Sequence, residues 1–164
     1  QLAREFTEMG RLPEGPAADV DLGELLSELG RTTLPPLMTA TYDIDPATPQ
    51  ISGYYEPLRR AVSNLIRNAV EACGGQGALE LGCRALGKNG AELRVVDHGP
   101  GVPAELRDRV FEPYVTEKHG GTGLGLALVR QTIEAHGGRV RHEATPGGGA
   151  TFVVTLPKVR RGVS

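Results

Sequence analysis

The sequence predicts an α+β fold, a two-layer sandwich in which helices cover one face of a β-sheet. Two observations predict it. Three segments carry apolar residues at helical spacing, and these segments are interleaved with pairs of strand-like segments that read as antiparallel hairpins. The chain has 164 residues, which is enough for one such domain with short appendages.

The first helix is expected to begin after Asp21, a residue that suits the N-cap, and to end at Gly30. Its apolar positions recur three and four apart, at Leu22, Leu25, Leu26 and Leu29. Residues 11–20 are rich in Pro, Gly and Ala, and we interpret them as a linker. Residues 34–43 are expected to be extended.

The second helix is predicted over 56–73, where seven apolar residues form one stripe before Gly74 and Gly75 end it. Residues 78–86 and 92–97 then form a hairpin. The Asn89-Gly90 pair between these strands favours the positive φ values of a tight turn.

The third helix is predicted over 126–135, and a second hairpin follows it, with strands at 139–144 and 150–156. Between the first hairpin and the third helix, residues 99–120 lack periodicity, apart from a short helix expected at 104–109. A loop of this length in a small domain is usually functional.

Composition excludes several classes of function. The 18 Lys and Arg residues balance 20 Asp and Glu residues, and without a basic run there is no electrostatic reason to expect a nucleic-acid partner. The apolar stretches are too short for a bilayer, so we expect no membrane contact by this domain. Cys73 and Cys83 lack metal-ligand spacing and suggest reduced thiols in a cytoplasmic protein.

Two groups of residues carry ligand chemistry. Asp97, followed by Gly99 and Gly101, suits a pocket in which the carboxylate accepts a hydrogen bond from the 6-amino group of adenine; the alternative is that Asp97 caps a turn. Asn64 and Asn68 share a face of the second helix, where an amide oxygen could bind Mg²⁺. The alternative there is a solvated helix face.

The remaining chemistry lies before the third helix. Phe111, Tyr114 and Lys118 suggest a lid whose lysine reaches a phosphate, although a solvated lysine is the alternative. Three glycines in the segment 121–126 run into the third helix, and such a loop lets backbone amides approach phosphate oxygens. Glycines there could equally serve tight packing.

Taken together, the motifs resemble those of sensor histidine kinases, in the same order along the chain. Residues 64–72 are similar to the N box, 97–101 to the first glycine box, 110–114 to the F box, 121–126 to the second glycine box and 147–152 to the closing glycine turn and strand. The resemblance implies the Bergerat (GHKL) ATP-binding fold, with a mixed sheet and an ATP lid. The compact lid is similar to that of the nitrogen-regulation branch.

The resemblance also implies residue roles. Asp97 would bind adenine, Asn68 would coordinate Mg²⁺, and Asn64 and Lys118 would act with Asn68 in catalysis. His98 replaces the Asn that the family commonly has beside the aspartate. The full set of residues expected to contact ATP is Asn64, Asn68, Asp97, Gly99, Gly101, Val102, Phe111, Tyr114, Lys118, Gly121, Thr122, Gly123, Leu124, Gly125, Leu126 and Thr151.

By the same resemblance, residues 1–10 would be the tail of a preceding dimerisation helix, 21–158 the catalytic ATP-binding domain and 159–164 a C-terminal tail. No His followed by an acidic residue, as a phosphoacceptor box requires, precedes the ATP-binding region. The expected partners are therefore ATP or ADP, a dimerisation domain that carries the acceptor His, and a response regulator.

Position 64 distinguishes the reactions that this family catalyses. Hydrolytic relatives typically have Glu there as a general base, whereas Asn64 cannot take a proton from water. Slow hydrolysis and phosphoryl transfer to a histidine are therefore expected. The alternatives are a hydrolytic ATPase or anti-sigma-type serine kinase of the same fold, and a nucleotide-sensing domain without catalysis.

Overall fold

The computed structural model describes residues 12–113 and 125–159. Within them, three helices cover one face of a five-stranded sheet. The helices are α1 (Leu22–Thr33), α2 (Tyr55–Ala72) and α3 (Gly125–Ala135), and the strands are β1 (Ala18–Val20), β2 (Met38–Ile44), β3 (Ile51–Gly53), β4 (Gly77–Leu86), β5 (Gly90–Val96), β6 (Arg139–Ala144) and β7 (Ala150–Pro157). The predicted α+β architecture is confirmed.

The main sheet has the strand order β2-β4-β5-β7-β6. The strand β2 runs parallel to β4, and every other neighbouring pair is antiparallel, so the sheet is mixed as the resemblance implied. Apolar side chains of β4, β5 and β7 lie on the face of the sheet that the helices cover. Together with the helices they form the core. The central members are Leu79, Leu81, Leu93, Val95, Phe152 and Val154.

The helices follow the predicted apolar periodicity. In α1, the Asp21 carboxylate accepts a hydrogen bond from the backbone N–H of Glu24 at 3.0 Å, which confirms the N-cap. The four leucines of its stripe are buried. The stripe of α2 lies in the core through Leu58, Ala61, Val62, Leu65, Ile66 and Ala69.

Two short strands were not predicted. The strand β1 lies inside the segment 11–20 that we interpreted as a linker, and it pairs antiparallel with β3. Buried Val20 and Ile51 form the apolar part of this pair. The segment interpreted as a linker therefore contributes a strand to the fold. Strands of three residues carry too little periodicity to be read from sequence.

Three local predictions were wrong in detail. The helix α1 does not end at Gly30 but continues to Thr33, and Gly30 is small because a Cβ there would overlap the Tyr42 hydroxyl. Gly90 is the first residue of β5, paired with Leu86 and Pro157, and the positive φ of the turn falls on Gly87, at 62°. Gly90 is small because a Cβ there would lie 2.9 Å from the carbonyl oxygen of Leu156. The expected helix at 104–109 is only a 3-10 turn, Ala104–Leu106.

In the part of the chain that the structure describes, no helix is long and apolar enough to cross a membrane. Cys73 and Cys83 are free thiols, as expected, and burial raises the pKa of the Cys83 thiol.

Candidate functional site

Asp97 stands at the end of β5, where the sheet meets the glycine turn between β6 and β7. The residue is 1% exposed. One carboxylate oxygen, Oδ1, accepts hydrogen bonds from the backbone N–H groups of Gly99 and Ala150, each at 3.1 Å. The other oxygen, Oδ2, is buried and has no hydrogen-bond partner in the described residues. A buried carboxylate oxygen without a donor is unfavourable, so Oδ2 is suited to accept one from a ligand.

Three glycines allow the backbone to close around Asp97. A Cβ at Gly99 would lie 2.6 Å from the carbonyl oxygen of Ala72, at the end of α2. Gly101 has a φ of +83° and approaches Gly149, while a Cβ at Gly149, whose φ is +112°, would overlap the carbonyl oxygen of Asp97. The glycine box is thus packed between α2 and the β6–β7 turn, with no space for larger residues.

Gly99 approaches the C-terminal end of α2 at the main-chain carbonyl of Ala72. Asn64 and Asn68 precede Ala72 by eight and four residues, so all three lie on one side of the helix. Both asparagines are half-buried. The C-terminal end of α2, one turn after Asn68, therefore lies next to the turn that follows Asp97.

Apolar residues border the same region. Val102, Phe111 and Leu126 are half-buried and pack against the core. The Phe111 ring meets Phe152 edge to face, with the ring centroids 5.9 Å apart. Gly125 is the first residue of α3 and is exposed, and it follows the predicted lid in the sequence.

The predicted lid itself lies largely outside the described residues. This holds for six of the residues expected to contact ATP, namely Tyr114, Lys118, Gly121, Thr122, Gly123 and Leu124. Their roles stay predictions.

Thr151 is buried and is linked to Asp97 through Thr145. Its hydroxyl lies 2.9 Å from the Oγ1 of Thr145, and the Thr145 hydroxyl donates to the main-chain carbonyl of Asp97 at 3.1 Å. Sequence analysis did not identify Thr145. Its position before a Pro-Gly turn indicated only a turn residue, because the contact with Asp97 joins residues 48 apart in the chain.

The three described histidines hold structural positions. His98 points away to β4, with its Nε2 2.7 Å from the Glu80 carboxylate. His136 is buried; its Nε2 accepts from the N–H of Tyr54 and its Nδ1 donates to the carbonyl of Thr132. This histidine joins the start of α2 to the end of α3.

His142 lies on β6, and the fold shifts its titration. Its ring lies against Phe152, with the centroids 5.5 Å apart, and its Nε2 is buried without a hydrogen-bond partner in the described part of the chain. Burial lowers the pKa of His142, and the charge of Arg107 lowers it further, against smaller opposing effects of Asp97 and Glu143. The imidazole is therefore favoured in its neutral form.

Within the described ranges, no cluster of three or more His, Cys, Asp or Glu residues could hold a metal ion. In the predicted role of Asn68, a divalent cation would be held by the amide oxygen, by water and by the phosphates of a bound nucleotide. Mg²⁺ is commonly bound in this way, and the predicted role of Asn68 is compatible with it.

Comparison with known proteins gives consistent matches. The family model for histidine kinase-, DNA gyrase B- and HSP90-like ATPases matches residues 53–160. The sensor histidine kinase ZraS of Klebsiella oxytoca is 32% identical over 96% of this chain and 35% of its own length. The sensory histidine kinase/phosphatase NtrB of Rhodobacter capsulatus is 36% identical over 73% of this chain and 37% of its own length.

Among solved structures, full-length ShkA in complex with AMPPNP superposes with a TM-score of 0.82 and 28% identity, covering 98% of this chain and 35% of that one. The chain spans little more than a third of the length of ZraS and of NtrB.

Proposed function

Since the chain belongs to the family of histidine kinase-, DNA gyrase B- and HSP90-like ATPases and is a histidine kinase ATP-binding domain, we propose that it positions Mg-ATP for transfer of the γ-phosphoryl group to a histidine. That histidine would stand on a separate dimerisation domain, and a response regulator would receive the phosphoryl group next. Residues 1–10 would be the tail of the dimerisation helix.

The observation that carries the proposal is the unpaired Oδ2 of Asp97. Two backbone amides hold the carboxylate in place through Oδ1, so Oδ2 has a fixed position and a fixed polarity. This oxygen can accept a hydrogen bond from the 6-amino group of adenine. Guanine has a carbonyl oxygen at the same position, which cannot donate a hydrogen bond and is repelled by the carboxylate. The site therefore favours ATP over GTP.

The side of α2 that carries Asn64 and Asn68 would bind the phosphate end of the nucleotide. The amide oxygen of Asn68 would hold Mg²⁺, which when bound neutralises the charge of the phosphates. Asn64 would support this arrangement, and Lys118 and the glycines of 121–125 would supply a charge and backbone N–H donors from the lid.

Asn64 also determines which acceptor is used. An amide cannot remove a proton from water, so the chain has no base at the position where hydrolytic relatives carry Glu. In the proposed transfer, an imidazole nitrogen of the acceptor forms the N–P bond while the bond from the γ-phosphorus to the bridging oxygen breaks. ADP leaves with that electron pair, and the imidazole releases its proton. Positioning, together with the charge of bound Mg²⁺, would supply most of the catalysis.

The direct test mixes the chain with a dimerisation domain that carries an acceptor histidine, Mg²⁺ and γ-labelled ATP. We expect label on the dimerisation domain that is lost in acid and kept in base, as a phosphohistidine requires. A variant of that domain without the histidine is the control.

Three results would contradict the proposal. Rapid phosphate release by the chain alone would indicate a hydrolytic ATPase. Label that survives acid on a serine-containing protein would indicate a serine kinase. Nucleotide binding without any transfer to the dimerisation domain would indicate a nucleotide-sensing domain.

A further inference from the structure

Thr145 contacts the main chain of Asp97 from the β6–β7 turn. Its side chain is buried, and its hydroxyl lies 3.1 Å from the carbonyl oxygen of Asp97 and 2.9 Å from the Oγ1 of Thr151. Asp97 is thereby held by three of its polar groups. Its N–H donates a hydrogen bond to the Ala150 carbonyl at 2.9 Å, and its Oδ1 accepts hydrogen bonds from two backbone N–H groups. Its carbonyl oxygen accepts a hydrogen bond from the Thr145 hydroxyl.

The two threonine hydroxyls have a defined order of donation. Each hydroxyl has a single proton, and a carbonyl oxygen can only accept. Thr145 therefore uses its proton on Asp97, and the short contact between the two hydroxyls requires Thr151 to donate to Thr145. If Thr145 donated to Thr151 instead, the buried carbonyl oxygen of Asp97 would lose this donor, which is unfavourable.

We propose that Thr145 is a positioning residue for recognition of the purine 6-amino group. Thr145 fixes the main chain of Asp97. In this way it keeps Oδ2 directed towards the 6-amino group of the bound purine. Thr145 would not touch the nucleotide itself. This role rests on the proposed function, because it assumes that Asp97 binds adenine.

We expect the turn to keep its shape when the hydroxyl of Thr145 is removed. The turn is held by main-chain bonds, from the N–H of Thr145 to the Gly149 carbonyl at 3.1 Å and from the N–H of Gly148 to the Thr145 carbonyl at 2.9 Å. Thr145→Val keeps both bonds and the side-chain shape, while Thr145→Ser keeps the hydroxyl. Thr155→Val removes a hydroxyl on β7, away from the turn, and serves as the matched control.

Calorimetry of each variant with Mg-ATP and with the Mg complex of purine riboside 5′-triphosphate tests the role. The second ligand is ATP without its 6-amino group. We expect Thr145→Val to weaken ATP binding about tenfold, and to leave the affinity for the purine riboside ligand unchanged. Thr145→Ser and Thr155→Val should bind ATP as the unchanged chain does. Thermal unfolding of each variant checks that it is folded, and Thr145→Ala gives the same comparison if the valine variant does not fold.

Two results would overturn the role of Thr145. Unchanged ATP affinity in Thr145→Val would show that its hydroxyl does not position Asp97. An equal loss for both ligands would show a general distortion of the pocket. If the unchanged chain failed to bind ATP at all, the proposed function itself would be wrong, and this outcome is distinct from the other two.

Discussion

Asp97 and Ala150 exchange two hydrogen bonds. The N–H of Asp97 donates to the carbonyl of Ala150 at 2.9 Å, and the N–H of Ala150 donates to the Oδ1 of Asp97 at 3.1 Å. The first residue of β7 thus orients both the main chain and the side chain of the proposed adenine-binding residue. The position of the carboxylate consequently depends on the glycine turn that leads into β7.

We expect Gly149→Ala to damage the site and Gly147→Ala to leave it intact. Both glycines have positive φ, but a Cβ at Gly147 meets nothing within 4 Å, whereas one at Gly149 overlaps the Asp97 carbonyl oxygen. Backbone strain of about 1–2 kcal/mol applies to both variants. Overpacking adds about 1–3 kcal/mol at Gly149 alone.

Urea unfolding measures this difference in the free energy of unfolding, and calorimetry measures the loss of ATP affinity that should accompany Gly149→Ala. Equal stability and equal ATP affinity of the two variants would mean that the close approach of Gly149 to Asp97 has no energetic importance.

Asn68→Ala should remove the dependence of ATP binding on Mg²⁺. Because the amide oxygen is the proposed protein ligand, its loss should lower the affinity for Mg-ATP at least about tenfold, while binding of ATP in the presence of a chelator changes little. Asn89→Ala removes an exposed amide in the β4–β5 turn and serves as the control. The assignment of Asn68 fails if the chelator has the same effect on Asn68→Ala as on the unchanged chain.

The stability of the domain should fall as the pH falls below about 6.5, and His142 should account for part of the fall. Burial and the charge of Arg107 lower the pKa of His142 in the folded state below its unfolded value of about 6.5. At a pH between the two pKa values, the unfolded chain binds more protons than the folded chain. The contribution of His142 to the free energy of unfolding is therefore fully present above the unfolded pKa and is lost as the pH falls towards the folded pKa.

In His142→Leu, urea unfolding at a series of pH values should therefore show a weaker dependence on pH across this range. An identical dependence in both proteins would show that the protonation of His142 is not coupled to folding.

The sequence indicated those parts of the fold that depend on local patterns. The helices were predictable because each buries one stripe, as the four leucines of α1 do. Pairing between distant segments was not predictable, including the parallel contact of β2 with β4 and the short pair β1–β3. The Asn89-Gly90 turn was misread because Gly90 is needed for its close approach to β7.

For the site, Asp97 and Gly99 were found because a carboxylate followed by small residues is a local signal, and the structure packs that turn against α2. Thr145 was missed because its function depends on how a turn folds back onto a carbonyl oxygen far away in the sequence.

Calorimetry of Asp97→Asn with Mg-ATP tests the central claim most directly. In this variant the amide oxygen can still accept from Gly99 and Ala150, which keeps the fold, but an N–H donor replaces Oδ2 and opposes the 6-amino group of adenine. We expect the affinity for Mg-ATP to fall about a hundredfold, while Asp43→Asn, at an exposed position of β2, binds as the unchanged chain does. An Asp97→Asn variant that is folded and binds Mg-ATP with unchanged affinity would contradict the account.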